Sequence, residues 1–274
     1  MKRRTVQSLA LHTAILLGAA VAATPLVWMV SASLMPAGDA NSFPPPFLPR
    51  RVTFEHYVTI LTRLDLAWNF LNSAIVTVTG TLLSVVFNGL AGYAFAKLVF
   101  PGRERLFRGL TLALVIPAQV GMLPLFLLLR EMGVVNTYAG VVVPYLASVF
   151  GIFMVRQYVV GVPDDLLHAA RVDGAGEFQL FTRIVVPVIQ PILVTLAAFT
   201  FLSAWNDFMW PLIVLSDARN YTLPVALANL VGEHVQDTEL MMAGSVLTIL
   251  PAMVVFLLFQ RAYVRGILAG SVKG

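Results

Sequence analysis

The chain has 274 residues, of which 58% are hydrophobic and only 12% are charged, and its mean hydropathy is +0.84. A soluble domain of this length must cover its surface with polar and charged side chains, so the composition indicates a protein whose outer surface faces lipid. The net charge of +4 comes from 18 Lys and Arg against 14 Asp and Glu, and the absence of cysteine excludes disulfides, thiolate metal sites and thiol catalysis.

The N-terminal segment places three positive charges, at residues 2–4, before a long apolar run over residues 9–34. A secretory signal has an apolar core of only ~7 to 15 residues, so the length favours an uncleaved membrane anchor. The small residues Ser31, Ala32 and Ser33 keep a cleaved signal as the alternative.

Apolar segments of membrane-spanning length recur along the chain. A helix needs about 20 mostly apolar residues to cross a hydrocarbon core of ~30 Å. Six segments meet this requirement: residues 9–34, 70–96, 106–130, 138–160, 185–214 and 241–264. The sequence therefore predicts an all-α polytopic membrane protein with six transmembrane helices. We divide it into an N-terminal anchor with an extracytoplasmic loop (1–69), a five-helix core (70–264) that includes a connection at 161–187, and a C-terminal tail (265–274).

The basic residues predict how the spans are oriented, because Lys and Arg collect in cytoplasmic loops. With a cytoplasmic N-terminus, 13 of the 18 basic residues fall on the cytoplasmic side. These are Lys2, Arg3, Arg4, Lys97, Arg103, Arg105, Arg108, Arg156, Arg171, Arg183, Arg261, Arg265 and Lys273. Both termini are therefore predicted to lie in the cytoplasm.

The sequence contains no recognisable catalytic motif. It has no glycine-rich phosphate loop ending in Lys and Ser or Thr, and no Gly-x-Ser-x-Gly nucleophile elbow. The four histidines lie in different segments without the i, i+4 spacing of a helical metal pair: His12, His56, His168 and His234. We therefore predict no catalytic residues and no metal site, and any energy source must lie in another chain.

The connection at 161–187 contains residues typical of the start and the end of a short helix, which would run from Pro163 to Gly174. Proline suits a first helical turn, acidic residues there complement the helix dipole, and glycine can end the helix in a left-handed cap. One face would carry Leu166, Ala169, Ala170 and Asp173, and its two small alanines would let another backbone approach closely. The pattern fits a docking surface, and it fits equally an amphipathic helix lying on its own membrane.

A longer stretch of this connection resembles a known motif. The run Ala-Ala-Arg-Val-Asp-Gly-Ala at 169–175, followed by Phe181, Ile184 and Pro187, is similar to the EAA loop of ATP-binding-cassette importer permeases. In that family the loop forms a coupling helix seated in a groove of the ATPase subunit. The resemblance implies ATPase coupling for Asp165, Leu166, His168, Ala169, Ala170, Asp173, Gly174 and Ala175. The family usually has Glu where this chain has His168, which can hydrogen-bond but lacks a fixed negative charge.

Two further stretches resemble the carbohydrate branch of that family, whose members include the maltose-type permeases. They are Trp-Asn-Asp-Phe-Met-Trp-Pro-Leu at 205–212 and the C-terminal run over 261–274. The resemblance covers essentially the whole chain and implies the MetI-like permease fold. It also implies an ATPase-contacting tail at Gly270, Ser271, Val272, Lys273 and Gly274.

The resemblance carries an expected function: a permease subunit that translocates a carbohydrate through the cytoplasmic membrane of a bacterium or archaeon. The implied partners are a second permease, two ATPase subunits that hold ATP and Mg, and an extracytoplasmic solute-binding protein, but no nucleic acid. The alternatives are a non-sugar solute such as glycerol phosphate, or an ion-coupled transporter, for which Asp207 is the only good buried candidate.

Several polar residues interrupt the predicted spans, where they are costly in hydrocarbon. We consider Asn72, Asn88, Gln119, Trp205, Asn206 and Asp207 as candidates for a substrate path. An aromatic ring beside amides and a carboxylate suits a sugar, which has an apolar face and a hydroxyl rim. For each residue taken singly, a hydrogen bond between helices is the more economical interpretation.

Overall fold

In the computed structural model, described residues are 2–62, 64, 66–233 and 237–271, with side chains described for 7–62, 64, 66–230 and 237–260. Every regular element within them is helical, which confirms the all-α prediction. The helices are α1 (Lys2–Ala32), α2 (Glu55–Thr62), α3 (Leu66–Lys97), α4 (Arg103–Ala113), α5 (Ala118–Glu131), α6 (Tyr138–Leu146), α7 (Val149–Val160), α8 (Asp164–Val172), α9 (Glu177–Leu180), α10 (Val186–Trp205), α11 (Met209–Val214), α12 (Leu223–Glu233) and α13 (Thr238–Ser271). A π-helical turn, Phe181–Val185, joins α9 to α10, and a 3₁₀ turn, Ala218–Asn220, precedes α12.

Five helical segments in the described chain are long and apolar enough to cross a membrane, and a bent pair raises the number to six if it counts as one span. The five are Gln7–Ala32, Leu66–Lys97, Tyr138–Val160, Glu177–Trp205 and Thr238–Gln260. Helices α4 and α5 form the bent pair. The predicted polytopic architecture is therefore confirmed.

The third predicted span, 106–130, is not one straight helix. Helices α4 and α5 meet at an angle of 109° across a short break. Pro117 lies in that break with φ −57° and ψ 132°, an extended conformation that α5 follows. Proline has no N–H to continue the hydrogen-bond ladder of a preceding helix, so the chain turns here.

The fifth predicted span, 185–214, is wrong at both ends. Its long helical stretch begins earlier, at Glu177, and runs through the π turn to the end of α10 at Trp205. The backbone then leaves the helix, and α11 starts separately at Met209. The Asp207 carboxylate accepts a bond of 3.3 Å from the Trp210 amide, so a polar side chain starts the new helix.

The chain folds into two compact units. One comprises Met1–Trp68 and Ala226–Leu250, and the other comprises Asn69–Val225 and Pro251–Gly274. In the first, Ala32, Met35 and Ala40 form a small buried core. The second has a core cluster contributed by α3, α7, α8 and α10 and another contributed by α3, α5, α6 and α11. The predicted boundaries at 69/70 and 264/265 remain predictions.

Candidate functional site

Helix α8 is the short helix predicted in the 161–187 connection. It begins after Pro163, which is extended at φ −60° and ψ 132°, and two acidic residues occupy its first turn. At its end Gly174 has φ +85°, and its amide donates to the Arg171 carbonyl at 3.0 Å. The Ala175 amide donates to the Ala170 carbonyl at 3.0 Å, which completes a Schellman cap. The predicted helix and its left-handed glycine cap are confirmed, with α8 shorter than 163–174 by a few residues.

Two adjacent leucines of α8 point in opposite directions. Leu167 is 1% exposed and belongs to the buried cluster that includes Tyr93 of α3 and Val159 of α7. Leu166 is 48% exposed and lies on the face that the sequence analysis singled out. On or beside that face, Asp165, His168, Ala169, Asp173 and Gly174 are exposed, and Ala170 and Ala175 are partly exposed. The face is therefore available to another protein, while the opposite face fixes α8 to the spanning helices.

The start of α8 is held by the last residue of α3. The Lys97 ammonium donates to the Val162 carbonyl at 2.6 Å and to the Asp164 carboxylate at 2.7 Å. The Lys97 side chain is only 6% exposed, whereas that of Asp164 is 66% exposed. This hydrogen bond and the positive charge of Lys97 hold the pKa of Asp164 below its ordinary value.

The end of α8 is held through Glu177. Arg171 donates from Nε and Nη2 to the two Glu177 oxygens at 2.8 and 3.3 Å, a bidentate pair. The Tyr93 hydroxyl of α3 donates to the same carboxylate at 2.7 Å. The hydrogen bond from Arg171 to Glu177 raises the pKa of Arg171. Glu177 thus joins the last turn of α8 to α3.

These anchoring residues were missed by sequence reasoning. Lys97 enters the sequence-based predictions only through the orientation of the spans, and Tyr93 does not enter them at all. Their partners lie 67 and 84 residues away along the chain, so no local spacing reveals the contacts. The only signal was the tyrosine four residues before the lysine, which places both on one helix face.

The predicted path residues in α3 are enclosed by protein. Asn72 is fully buried, donates to the Arg219 and Tyr221 carbonyls at 2.7 and 3.0 Å, and accepts from the Tyr138 hydroxyl at 2.6 Å. Asn88 is also fully buried and donates to the backbone and hydroxyl oxygens of Ser84 at 2.7 and 2.8 Å. Its own carbonyl oxygen has no hydrogen-bond partner.

The remaining path candidates do not form one cluster with them. Gln119 is exposed at the start of α5, and Asn206 is exposed and donates to the Leu202 carbonyl at 2.7 Å. Asp207 accepts a bond of 2.5 Å from the Tyr145 hydroxyl. Trp205 is 2% exposed, with the ring of Phe70 edge-on at 5.4 Å and that of Phe201 stacked at 6.0 Å.

The predicted tail contacts lie at the end of the last helix. The backbones of Gly270 and Ser271 close α13, but their side chains are outside the described set. Val272, Lys273 and Gly274 lie outside the described residues. Across the part of the chain that the structure describes, no group of three or more His, Asp or Glu is placed to hold a metal ion.

Comparison with known proteins identifies the family. Residues 88–268 match the model of the binding-protein-dependent transport system inner membrane component. The arabinooligosaccharides transport system permease protein AraQ of Halalkalibacterium halodurans is 36% identical, over 100% of both chains. The lactose transport system permease protein LacG of Rhizobium radiobacter is 32% identical, over 99% of this chain and 98% of the relative.

The fold has a solved counterpart. A chain of a bacterial ABC transporter involved in the import of the acidic polysaccharide alginate superimposes with a TM-score of 0.83, at 24% identity, covering 94% of this chain and 97% of that one. This likeness shows the fold, and the family match covers the span that contains α8 and its anchors. The chain belongs to the family of inner membrane components of binding-protein-dependent transport systems.

Proposed function

We propose that this chain is the permease subunit of an ATP-binding-cassette importer for a mono- or oligosaccharide or a sugar derivative. The observation that carries the proposal is α8: its exposed small-residue face is free to dock, and both of its ends are fixed to the membrane domain. A helix built in this way can receive a force from a soluble partner and pass it to the spans.

The proposed partners follow from the family and from the sequence. Energy comes from two ATPase subunits that bind ATP and Mg, and an extracytoplasmic binding protein delivers the solute. A second homologous permease completes the pore. The sugar class is supported by the arabinooligosaccharide and lactose permeases to which the chain is similar.

The proposed mechanism involves no change of covalent bonds in this chain. Approach of the ATPase subunits displaces α8, and its anchors at Lys97 and Glu177 transmit the displacement to α3. The spans then rearrange so that the path opens to the binding protein, and ATP hydrolysis resets them. We place α8 and both termini in the cytoplasm, because most basic residues lie on that side.

Within the path, we assign solute contact to the exposed polar residues. Gln119 and Asn206 are exposed, and Asp207 with Tyr145 forms a polar pair beside Trp210. A carboxylate and a phenol can share hydrogen bonds with sugar hydroxyls. Asn72, Asn88 and Trp205 are buried, and we assign them to packing between helices.

The test is reconstitution of the permease pair with the ATPase and the binding protein in vesicles that enclose ATP. We expect uptake of a sugar that the isolated binding protein selects from a panel, and copurification of the ATPase with this chain. Replacement of Ala169 by Trp, on the exposed face of α8, should abolish uptake and copurification without removing the chain from the membrane. Normal uptake by Ala169→Trp would contradict the docking role.

A second arm tests the solute contact. Asp207→Asn should raise the KM for the transported sugar several-fold and leave ATPase copurification intact, because the span-length helical stretch Glu177–Trp205 separates Asp207 from α8. An unchanged KM would remove Asp207 from the path.

A further inference from the structure

Helix α3 is the one span-length segment without proline in the described chain. The others contain Pro25, Pro144, Pro191 or Pro251, and the α4–α5 pair is bent by 109°. Proline removes a helix hydrogen bond and permits a bend, so those segments have a built-in point of flexion. With 32 residues, α3 is an uninterrupted rod of about 48 Å.

One end of this rod is fixed to α8 at two points. Lys97 and Tyr93 lie one turn apart on the same face of α3. Lys97 holds the start of α8 through Asp164 and the Val162 carbonyl, and Tyr93 holds its end through Glu177. Two attachments prevent α8 from pivoting about either one, so a displacement of α8 must move the end of α3.

The other end of the rod is fixed to the backbone of residues 218–223. Asn69 donates to the Ala218 and Tyr221 carbonyls at 3.2 and 2.9 Å. Asn72 donates to the carbonyls of Arg219 and Tyr221, and the Ser73 hydroxyl accepts from the Leu223 amide at 2.7 Å. Three polar side chains in the first two turns of α3 thus bind one short segment.

The 218–223 segment is also ordered on its far side. The Asn136 side chain accepts bonds of 3.0 Å from the amides of Ser216 and Asp217, and Asn220 donates to the Asn136 carbonyl at 3.0 Å. Asp217 and Arg219 remain exposed at the surface of this ordered segment. A protein that presses on these two charges therefore acts on a stiff segment bonded directly to α3.

We infer that α3 is a rigid rod that links α8 to the 218–223 segment across the membrane, so that a displacement at one membrane face is transmitted to the other. This inference rests on the proposed function, because it needs an ATPase at α8. The two faces are then coupled within a single helix of this subunit. Because the coupling free energy between two sites is reciprocal, binding-protein contact at Asp217 and Arg219 changes the affinity of α8 for the ATPase by the same factor as ATPase binding changes the affinity of the segment for the binding protein.

A double-mutant cycle between the two ends tests the rod. Lys97→Met combined with Tyr93→Phe removes both anchors at α8. Asn69→Leu combined with Asn72→Ala and Ser73→Ala removes the three side-chain anchors at the 218–223 segment, and Asn69 lies about 42 Å from Lys97 along the helix. The readout is the fold stimulation of ATP hydrolysis by the loaded binding protein in the reconstituted complex. Release of either end should lower the stimulation at least fivefold, and release of both ends should be no worse than release of one, because a rod released at one end transmits nothing from the other.

Substitutions at independent sites this far apart normally have additive effects on free energy. If the two ends of α3 are not coupled, the two losses of stimulation should therefore multiply. A loss on release of both ends that equals the product of the two separate losses would overturn the inference, as would wild-type stimulation after release of either end. Arg105→Met is the control, since it removes a positive charge from α4 at the same membrane face. It should leave the stimulation within twofold of wild type.

Two further outcomes keep the result interpretable. If a combined variant fails to assemble, Lys97→Met alone and Asn69→Leu alone weaken the same two ends, and each should lower the stimulation at least twofold. Wild-type stimulation in both would overturn the inference. If the wild-type complex neither retains an ATPase nor responds to a binding protein, the proposed function fails. If it responds and the variants are additive, only the rod fails.

Discussion

At the scale of single residues, two glycines of the α8 region differ in what they require. Gly174 ends α8 with φ +85°, a backbone conformation that strains any residue with a Cβ. Gly176 has φ −74°, and a Cβ at either position would meet no atom within 4 Å. Any difference between the effects of alanine at the two positions therefore comes from the backbone conformation and not from steric crowding.

We predict that Gly174→Ala weakens the cap of α8 and Gly176→Ala does not. The left-handed conformation costs a non-glycine residue about 1 to 2 kcal/mol, and that strain falls on the two cap hydrogen bonds. ATP-driven uptake should drop several-fold in Gly174→Ala and stay near wild type in Gly176→Ala. Equal uptake by the two variants would show that the cap does not limit coupling.

A second prediction at this scale concerns pH and the Lys97–Asp164 pair. Lys97 lowers the pKa of Asp164, so the stabilisation is present above the ordinary aspartate pKa of about 3.9 and is lost as pH falls through the lower folded value. The difference in Tm between wild type and Lys97→Met in detergent should be constant between about pH 5 and 8 and shrink below about pH 4. Part of the Tm difference should persist at low pH, because the hydrogen bond from Lys97 to the Val162 carbonyl does not depend on the Asp164 charge.

The Tm difference of the control variant Arg105→Met should show no comparable change over this range. A Lys97→Met difference that stays constant down to pH 3 would mean that the Asp164 carboxylate contributes nothing and that the carbonyl bond carries the whole effect.

At the scale of elements, α8 has one face packed against the spanning helices and one face that is exposed. Leu167 is packed among residues of α3, α7 and the π turn, and Leu166 beside it is exposed. The same side chain at neighbouring positions is therefore in two different environments, and a pair of matched variants can compare them.

We predict that alanine at Leu167 lowers the stability of the protein, whereas alanine at Leu166 weakens its binding to the ATPase. Leu167→Ala leaves a cavity in a closed cluster and should cost about 2 to 5 kcal/mol, seen as a Tm lower by several degrees. Leu166→Ala should leave the Tm unchanged but weaken ATPase copurification, because it removes apolar area only from the exposed face. A Tm loss in Leu166→Ala equal to that in Leu167→Ala would contradict the assignment of the faces.

At the scale of the whole molecule, the distribution of basic residues predicts which side of the membrane each loop lies on. We predict that Ser42 lies outside and Val99 inside. Both side chains are exposed, and the sequence has no cysteine, so Ser42→Cys and Val99→Cys each introduce a single reactive thiol. A membrane-impermeant maleimide should label Ser42→Cys in intact protoplasts and Val99→Cys only after permeabilisation. The reverse pattern would invert the topology and place α8 on the wrong side for an ATPase.

The sequence by itself determined the features that depend on local pattern. The length of an apolar segment predicts a membrane span, because the side chains that face lipid must be apolar. The residues at the start and end of α8 predict a helix, because a helix is capped by residues that are its neighbours in the sequence. The EAA-like run identified the family, which the match over residues 88–268 confirms. The local pattern did not predict that Pro117 would divide a span at 109°.

Only the tertiary structure decided which helices are linked and how. The bonds from Lys97 to Asp164, from Tyr93 to Glu177 and from Asn69 to the 218–223 segment join residues 67 to 152 positions apart. No periodicity in a sequence records such pairs, because they form where separate helices happen to end beside each other in the folded unit. The sequence therefore determined that this protein has span-length apolar helices and a short capped helix between two of them, and the packing decided that α3 is bonded to that short helix at one end and to the 218–223 segment at the other.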